Sequence, residues 1–332
     1  MVAQRPPNAG GHRMACSHAM QRRTVLATLP LLASTASAAA RTWTVGAPGG
    51  PATLAEALRQ AQDGDTVALP PGVHRGGGVV TQARLTLRGL GEGAVLDGTG
   101  AALPEGKALL VLRGGDVRVE GLGFRGARVP DGNGAGIRLE RGRLHAVDCR
   151  FDDNEMGLLT GNEAQTRLEL ERCTFDQAPP DSGRGLHHLL YIGAIAQARV
   201  QACRFRFGAR GGQGHLLKCR AREAEVLDCE LGWDDPQGTA SYELDFPNGG
   251  QVLLRGNHIA QGPASPNRTL VAFGAEARPN DARAHRLRIE DNAFRSAGAD
   301  ALWWRVWTDR VGRAVPVEAR GNRFEGAGRA LA

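Results

Sequence analysis

Large aromatic side chains are scarce in this 332-residue sequence, at 5% of the residues, whereas glycine occurs 46 times. The shortage of large rings indicates a core built mainly from Leu, Val, Ile, Ala and Phe. The abundance of glycine indicates many turns. Length by itself leaves one or two domains open, because all-β architectures of this size often form a single domain.

Blocks of like charge are also missing. The 41 basic and 35 acidic side chains give a formal charge of +6, and they are spread along the chain. Scattered charge gives little support to nucleic-acid binding, but a mildly basic surface suits an acidic polysaccharide. The sequence has no P-loop, nucleophile elbow or dinucleotide fingerprint in a strand-turn-helix setting, which argues against those enzyme classes.

No apolar run is long enough for a convincing membrane span, since the best one, near the N-terminus, is interrupted by Pro30 and small residues. Residues 20–40, "MQRRTVLATLPLLASTASAAA", instead combine a basic start, an apolar run and small residues, as an export signal does. Cleavage is expected after Ala38. Arg22 and Arg23 resemble a twin-arginine signal, with Sec export as the alternative. We therefore expect a periplasmic or secreted protein.

One short pattern recurs through most of the chain: an apolar strand leads to a marked position, and an apolar residue follows two positions later. The marked positions are Leu122, Cys149, Cys173, Cys203, Cys229, Asn257, Asn292 and Asn322. The residues two positions later are Phe124, Phe151, Phe175, Phe205, Leu231, Ile259, Phe294 and Phe324. Successive members are 24 to 35 residues apart.

Short strands that return at this interval, without amphipathic helices between them, are typical of a β-solenoid with parallel stacked strands. Neighbouring coils would lie about 4.7 to 4.9 Å apart. Phe would stack on Phe inside, and Asn side chains would bond along the stack as in cross-β assemblies. We interpret both columns as structural.

The cysteines fit the same interpretation. Cys16 precedes the expected cleavage site, which leaves five, and four of these occupy the marked column. An odd number in a regular inward column favours buried free thiols over disulfides. The sequence contains no CxxC motif and no Cys-His spacing of the kind that would indicate a metal site.

Residues 53–76, "TLAEALRQAQDGDTVALPPGVHRG", predict a helix, an Asp-Gly-Asp turn, a strand and a Pro-Pro-Gly turn. This segment and the coils after it, over residues 43–325, resemble the N-terminal cap and body of pectin-lyase-like proteins. The resemblance implies an all-β fold, a right-handed single-stranded parallel β-helix with an N-terminal helical cap. It would occupy residues 39–332, after an extension and export signal at 1–38. Because that superfamily includes lyases, hydrolases, epimerases and non-enzymes, the resemblance implies no single activity.

Three other strands align with one another at the interval of one coil. They are "HLLYIG" (188–193), "HLLKCRA" (215–221) and "YELDFPNGG" (242–250). An offset of 27 residues places Tyr191 beside Lys218, and Lys218 beside Asp245. Strand alternation predicts an inward face of Leu217, Cys219, Tyr242, Leu244 and Phe246. It predicts an outward face of Lys218, Arg220, Glu243 and Asp245. The next coil, "LVAFGAEA" (270–277), adds Glu276.

This outward cluster resembles the site of β-helical polysaccharide lyases, in which a Lys or Arg removes a proton next to a uronate carboxylate. "GHLLKCRA" (214–221) also resembles a strand of a group of exported bacterial β-helix proteins. Elimination needs a base, a cation to neutralise the carboxylate, and an acid for the leaving oxygen. The resemblance implies Lys218 as the base, Arg220 as the carboxylate clamp and Tyr191 as the proton donor. His215 is the alternative donor if strand alternation breaks there.

Three alternatives remain open for the same residues. Glu243 and Asp245 would stand about 6.5 to 7 Å apart along a strand, which suits an inverting glycoside hydrolase. The two carboxylates could instead bind Ca²⁺, the one cofactor that the pattern suggests. Finally, the charges could pair across coils, Lys218 with Asp245 and Arg220 with Glu243, in a protein that binds carbohydrate without cleaving it.

The remaining candidates lie around this cluster. His188 and Asn162, with Glu243 and Asp245, are candidate contacts to an acidic polysaccharide or oligosaccharide, and we expect the protein to act as a monomer. A tryptophan cluster lies near the C-terminus and contains Trp303, Trp304 and Trp307. These rings are expected to cover the open end of the solenoid, with stacking on sugars as the alternative.

Overall fold

The computed structural model describes residues 39–179, 186–208 and 212–331. The predicted export signal and its cleavage after Ala38 lie outside these residues. Within them, no helix has the length and apolar character needed to cross a bilayer. The helices are Leu54–Gln60 and Thr308–Val311, with a short 3₁₀ turn at Pro104–Gly106.

The described strands form three parallel sheets, and successive coils add one strand to each. Sheet 1 contains Thr42–Thr44, Thr66–Leu69, Arg84–Gly89, Asp116–Glu120, Arg143–Val147, Arg167–Glu171, Gln197–Gln201, Glu223–Leu227, Gln251–Arg255, Arg286–Glu290 and Val317–Arg320. Sheet 2 contains Gly72–Arg75, Ala94–Asp97, Gly123–Arg125, Arg150–Asp152, Thr174–Asp176, Arg204–Arg206, Glu230–Leu231, His258–Gln261, Ala293–Ser296 and Arg323–Glu325. Sheet 3 contains Gly78–Val80, Ala108–Leu112, Ala135–Leu139, Met156–Thr160, Leu190–Ile192, Leu217–Cys219, Leu244–Phe246, Thr269–Phe273, Ala301–Val306 and Gly328–Leu331.

This arrangement confirms the predicted fold: the chain is a right-handed parallel β-helix. The predicted helix covers its first coil. Thr53 caps the helix by accepting a hydrogen bond from the backbone N–H of Glu56 at 3.2 Å. Leu54 and Leu58 are buried, and a Cβ added at Gly78 would come within 2.4 Å of Leu58 Cδ1. Helix and first strand of sheet 3 therefore pack in direct contact.

The two predicted columns are confirmed as structural. Phe124, Phe151, Phe175 and Phe205 pair in register in sheet 2, and neighbouring ring centroids lie 4.5 to 5.1 Å apart. These rings are fully buried. Each such side chain removes enough apolar surface from water to contribute about 2 to 3 kcal/mol. A small number of aromatic residues, stacked in one inward column, therefore fills much of the core.

The marked column lies at the bend between sheets 1 and 2. Asn257 Nδ2 donates to Asn292 Oδ1 at 2.8 Å, and Asn292 Nδ2 donates to Asn322 Oδ1 at 3.0 Å. Where the column contains cysteine, the sulfur accepts instead, as Cys203 Sγ does from the backbone N–H of Cys173 at 3.3 Å. The five described cysteines are buried free thiols, as predicted.

A left-handed backbone conformation precedes every marked position. Glycine supplies it at Gly121, Gly256 and Gly321. Other residues supply it at Asp148, Arg172, Ala202, Asp228 and Asp291. For a residue with a Cβ this conformation costs roughly 1 kcal/mol or more. The regular bend is therefore imposed by stacking and side-chain hydrogen bonds, and the residue types alone do not reveal it.

The tryptophan prediction is confirmed in part. Trp303 and Trp304 are buried near the C-terminal end and contact the rings of Phe294 and Phe324 at centroid distances of 5.3 to 6.2 Å. Trp307 is only half-buried, and the Arg305 guanidinium lies 4.4 Å from its ring centroid. Two of the three rings therefore cover the core, and the third does not.

Candidate functional site on the outer face of sheet 3

The predicted cross-coil alignment is present on the outer face of sheet 3. Tyr191 pairs with Lys218, and Lys218 pairs with Asp245. The same row continues through Ala272 to Arg305. Because parallel neighbours lie about 4.8 Å apart, the first three side chains form one contiguous surface.

Two cations share a carboxylate at the centre of this surface. Lys218 Nζ lies 2.9 Å from Asp245 Oδ2 and 3.0 Å from Glu276 Oε1. Arg220 Nη2 donates to Glu276 Oε2 at 2.7 Å. Glu276 therefore holds one cation with each of its oxygens.

Arg220 makes two further hydrogen bonds. Its Nε donates to the Tyr191 hydroxyl oxygen at 2.9 Å, and its Nη1 donates to Asn248 Oδ1 at 2.6 Å. The guanidinium is fixed in three directions, by a phenol, an amide and a carboxylate. Sequence reasoning missed Asn248. Its place in "PNGG", at the end of the predicted strand 242–250, was the signal that could have identified it.

The electrostatics oppose the predicted role of Lys218 as a base. Burial lowers the pKa of Lys218, but the carboxylates of Asp245 and Glu276 raise it by more, and the net pKa is above the ordinary value. Lys218 is therefore an ammonium ion at neutral pH. For Glu276 the effects reverse: burial raises its pKa, the hydrogen bonds from Arg220 and Lys218 lower it by more, and the carboxylate form is favoured.

A stack of three rings lies beside this cluster. His188 and His215 have ring centroids 4.8 Å apart, and His215 and Tyr242 have centroids 5.0 Å apart. His188 Nδ1 accepts from the backbone N–H of His215 at 2.9 Å, and His215 Nδ1 accepts from that of Tyr242 at 3.2 Å. Each ring proton therefore resides on Nε2, and His215 Nε2 lies 3.3 Å from Asp245 Oδ2.

Both histidines are neutral. Burial and the charge of Lys218 lower the pKa of His188 to about 3, and burial and His188 lower the pKa of His215 to about 2. His215 is buried and its Nε2–H is directed to Asp245, which leaves no free proton for a substrate. Its predicted alternative role as proton donor is therefore not supported, although it does lie on the outer face.

The predicted alternation fails just before strand Leu244–Phe246. Tyr242 was expected to face inward, yet its ring lies in the outer stack. Glu243 was expected to face outward, yet it is only 1% exposed and its Oε2 lies 3.5 Å from Gln261 Nε2 in sheet 2. The reason is that both residues precede the strand, in a bend where the two-residue period does not apply.

Three predictions that depended on an outward Glu243 are wrong. Glu243 and Asp245 do not form a hydrolase pair, and they do not form a Ca²⁺ site, because they lie on different faces. Arg220 pairs with Glu276, not with Glu243. Burial raises the pKa of Glu243 well above its ordinary value, which favours the protonated form. Within the described residues no group of His, Cys, Asp and Glu forms a metal-binding cluster.

Asn162 is separate from the cluster. It lies in the turn after strand Met156–Thr160, where its Oδ1 accepts from the backbone N–H of Ala194 at 2.8 Å. That bond joins two coils, so the side chain has a structural partner. The other predicted contact, His188, is buried in the ring stack.

Comparison with known proteins adds support for the fold. No protein-family model matches this sequence, and no curated protein matches it either. An alginate lyase from Paenibacillus sp. superimposes with a TM-score of 0.54 at 14% identity, covering 88% of this chain and 99% of the lyase. ORF18 of Geobacillus virus E2 has a TM-score of 0.48 at 12% identity, and the match spans 84% of this chain but only 55% of that protein. A pectin methylesterase in complex with a hexasaccharide has a TM-score of 0.41 at 11% identity, with 89% and 93% covered.

The superposition on the lyase from Paenibacillus sp. has a TM-score above 0.5 and includes nearly the whole length of the lyase. This match agrees with the parallel β-helix described above. At 14% identity the similarity concerns the fold, so function must be argued from the site.

Proposed function

We propose that this protein binds a uronate-containing polysaccharide on the outer face of sheet 3 and cleaves it by β-elimination. The observation that supports the proposal is the convergence of Lys218 and Arg220 on one carboxylate, directly beside the Tyr191 hydroxyl. A uronate has a carboxylate next to the carbon that loses a proton in elimination. Two cations there would stabilise the negative charge that develops on the substrate.

Tyr191 takes the proton-transfer role in this proposal. Its oxygen accepts from Arg220 Nε, and this guanidinium would stabilise the negative charge of the tyrosinate form, which acts as the base. The tyrosinate oxygen removes the C5 proton and becomes a phenol. The phenol then donates that proton to the leaving oxygen and returns to the tyrosinate form. The C5–H electron pair forms the new C4–C5 double bond while the C4–O bond breaks. Lys218, held as an ammonium ion, binds the carboxylate and does not remove the proton.

The test is a panel of uronate polymers assayed for the ultraviolet absorbance of the unsaturated product. Tyr191→Phe should lower kcat by about 10²- to 10⁴-fold with a smaller change in KM, because the proton-transfer group is lost. Arg220→Lys should lower kcat/KM, since an ammonium cannot hold both the phenol and the carboxylate. Arg286→Lys on sheet 1, where the arginine pairs with Glu318, is the matched control and should leave activity unchanged.

A second function, binding without cleavage, is favoured by one specific observation: both cations already have carboxylate partners in the free protein. Retained affinity for a uronate polymer, with no unsaturated product from any member of the panel, would establish the binder and contradict elimination.

A further inference from the structure

The carboxylate that bridges the two cations differs from the other acid at the site in its exposure and its support. The Glu276 side chain is 49% exposed, whereas that of Asp245 is 2% exposed. Asp245 belongs to strand Leu244–Phe246 and also contacts His215. Glu276 lies in the turn after strand Thr269–Phe273, where its backbone N–H donates to Pro247 O at 2.8 Å, and its side chain is held by Lys218 and Arg220. Its side chain can therefore rotate away without disturbing the sheet.

The two cations are held in place without Glu276. Lys218 keeps Asp245 at 2.9 Å, and Arg220 keeps Tyr191 and Asn248 as hydrogen-bond acceptors. Their side chains are largely buried, at 10% and 20% exposure, so they cannot follow Glu276 into solvent. Departure of the Glu276 carboxylate would leave two fixed cations facing the surface, separated by the span of one carboxylate.

We propose that Glu276 is an internal substitute for the carboxylate of the ligand. The Lys218–Arg220 pair is a binding site for a single carboxylate, and a sugar acid enters by displacing Glu276. Glu276 then determines specificity in two ways. It lowers the affinity of the site for a single uronate, and it favours ligands that supply additional contacts along the face. The choice of a sugar acid rests on the proposed function, but the binding step does not require cleavage.

The physical reason is competition for one position. The apparent affinity of a ligand falls in proportion to the fraction of molecules in which its site is free. While Glu276 occupies the site in most molecules, a monosaccharide can bind only to the small fraction of molecules in which the site is free. Removing the competing charge should convert nearly all molecules to the open form. The affinity for a neutral sugar should not increase when Glu276 is replaced, because a neutral sugar has no carboxylate to place between the cations.

The experiment measures binding of galacturonate and of neutral galactose to the full chain by calorimetric or NMR titration. Glu276→Gln and Glu276→Ala are compared with the wild type. Glu318→Gln is the matched control, since Glu318 is 48% exposed and pairs with Arg286 on sheet 1. We expect both Glu276 variants to bind galacturonate about tenfold or more tightly than the wild type, equivalent to about 1.4 kcal/mol. Glu318→Gln should match the wild type, and galactose binding should not change.

Two results would overturn the inference. The first is equal galacturonate affinity in the wild type and in both Glu276 variants, including the case in which none of them binds it. The second is an increase in galactose affinity as large as the increase in galacturonate affinity. Adding Arg220→Gln to Glu276→Gln should abolish the gain, and its persistence would place the ligand elsewhere. The outcome is distinguishable from failure of the elimination proposal. A gain in galacturonate affinity with no unsaturated product from any polymer would support the carboxylate site while contradicting the reaction.

Discussion

The outer faces of sheets 1 and 3 use the same cross-coil ion pair in different surroundings. On sheet 1, Arg199 pairs in register with Glu225, and Nη1 lies 2.7 Å from Oε2, with both side chains substantially exposed. On sheet 3, Lys218 pairs in register with Asp245, and Nζ lies 2.9 Å from Oδ2, with both side chains buried. Register and separation are alike, and burial is the difference.

Burial determines how much an ion pair matters for the stability of the fold. An exposed pair contributes about 0 to 1 kcal/mol and its loss is easily accommodated. A buried pair has a large desolvation cost, which replacement by apolar residues would often avoid. The chain nevertheless keeps Lys218, Asp245 and two neutral histidines together under the outer face of sheet 3. We infer that this cluster is maintained for binding or chemistry, because stability alone does not favour it.

The largest expected effect tests the buried pair. Asp245→Ala should destabilise the protein by about 3 to 5 kcal/mol, because it leaves the Lys218 ammonium buried without its strand partner. Thermal unfolding followed by circular dichroism should show a fall in Tm of about 6 °C or more. Glu225→Ala on sheet 1 is the matched control and should cost less than about 1 kcal/mol. Equal losses in the two variants would remove the distinction between the faces.

A smaller effect concerns acid stability. Burial and the charge of Lys218 lower the pKa of His188 to about 3 in the folded protein, while an unfolded imidazole has a pKa near 6.5. Between these pH values the unfolded chain binds more protons, so stability decreases as pH falls, by about 1.4 kcal/mol per pH unit. His188→Asn should remove one such contribution while keeping an acceptor for the backbone N–H of His215.

Urea unfolding at several pH values between about 4 and 6 should show the difference in slope between wild type and His188→Asn. His145→Asn, on an outward strand position of sheet 1, controls for loss of a histidine from a solvent-facing site. A variant whose slope equals that of the wild type would show that His188 is not a buried neutral imidazole.

The smallest effect concerns salt. A double-mutant cycle of Arg199 and Glu225 should give a coupling of about 0.2 to 1 kcal/mol at low ionic strength, decreasing in 1 M NaCl, where the Debye length is about 3 Å. The cycle of Lys218 and Asp245 should give a larger coupling that changes less with salt, because the Asp245 side chain is 2% exposed and that of Lys218 is 10% exposed. A strong salt dependence of the second cycle would place those charges in solvent.

Much of the fold could be predicted from the sequence because every coil needs the same types of residue at the positions that stack on the neighbouring coils. Phe175 must lie above Phe151 and below Phe205, so the apolar column could be aligned without coordinates. The 27-residue offset that related Tyr191, Lys218 and Asp245 was correct for the same reason. Strand periodicity failed at Tyr242 and Glu243, which lie outside any strand. No local pattern distinguishes the last residue of a bend from the first residue of a strand.

The sequence by itself determined the coil period, the inward columns, the capping helix and the rows that meet on sheet 3, because each depends on spacing along the chain. Only the tertiary structure decided that Glu243 faces the interior, that Glu276 joins Lys218 to Arg220, and that Lys218 carries a firmly held proton. Those facts depend on distances between side chains from separate coils and on their exclusion from water, and neither quantity is contained in residue order.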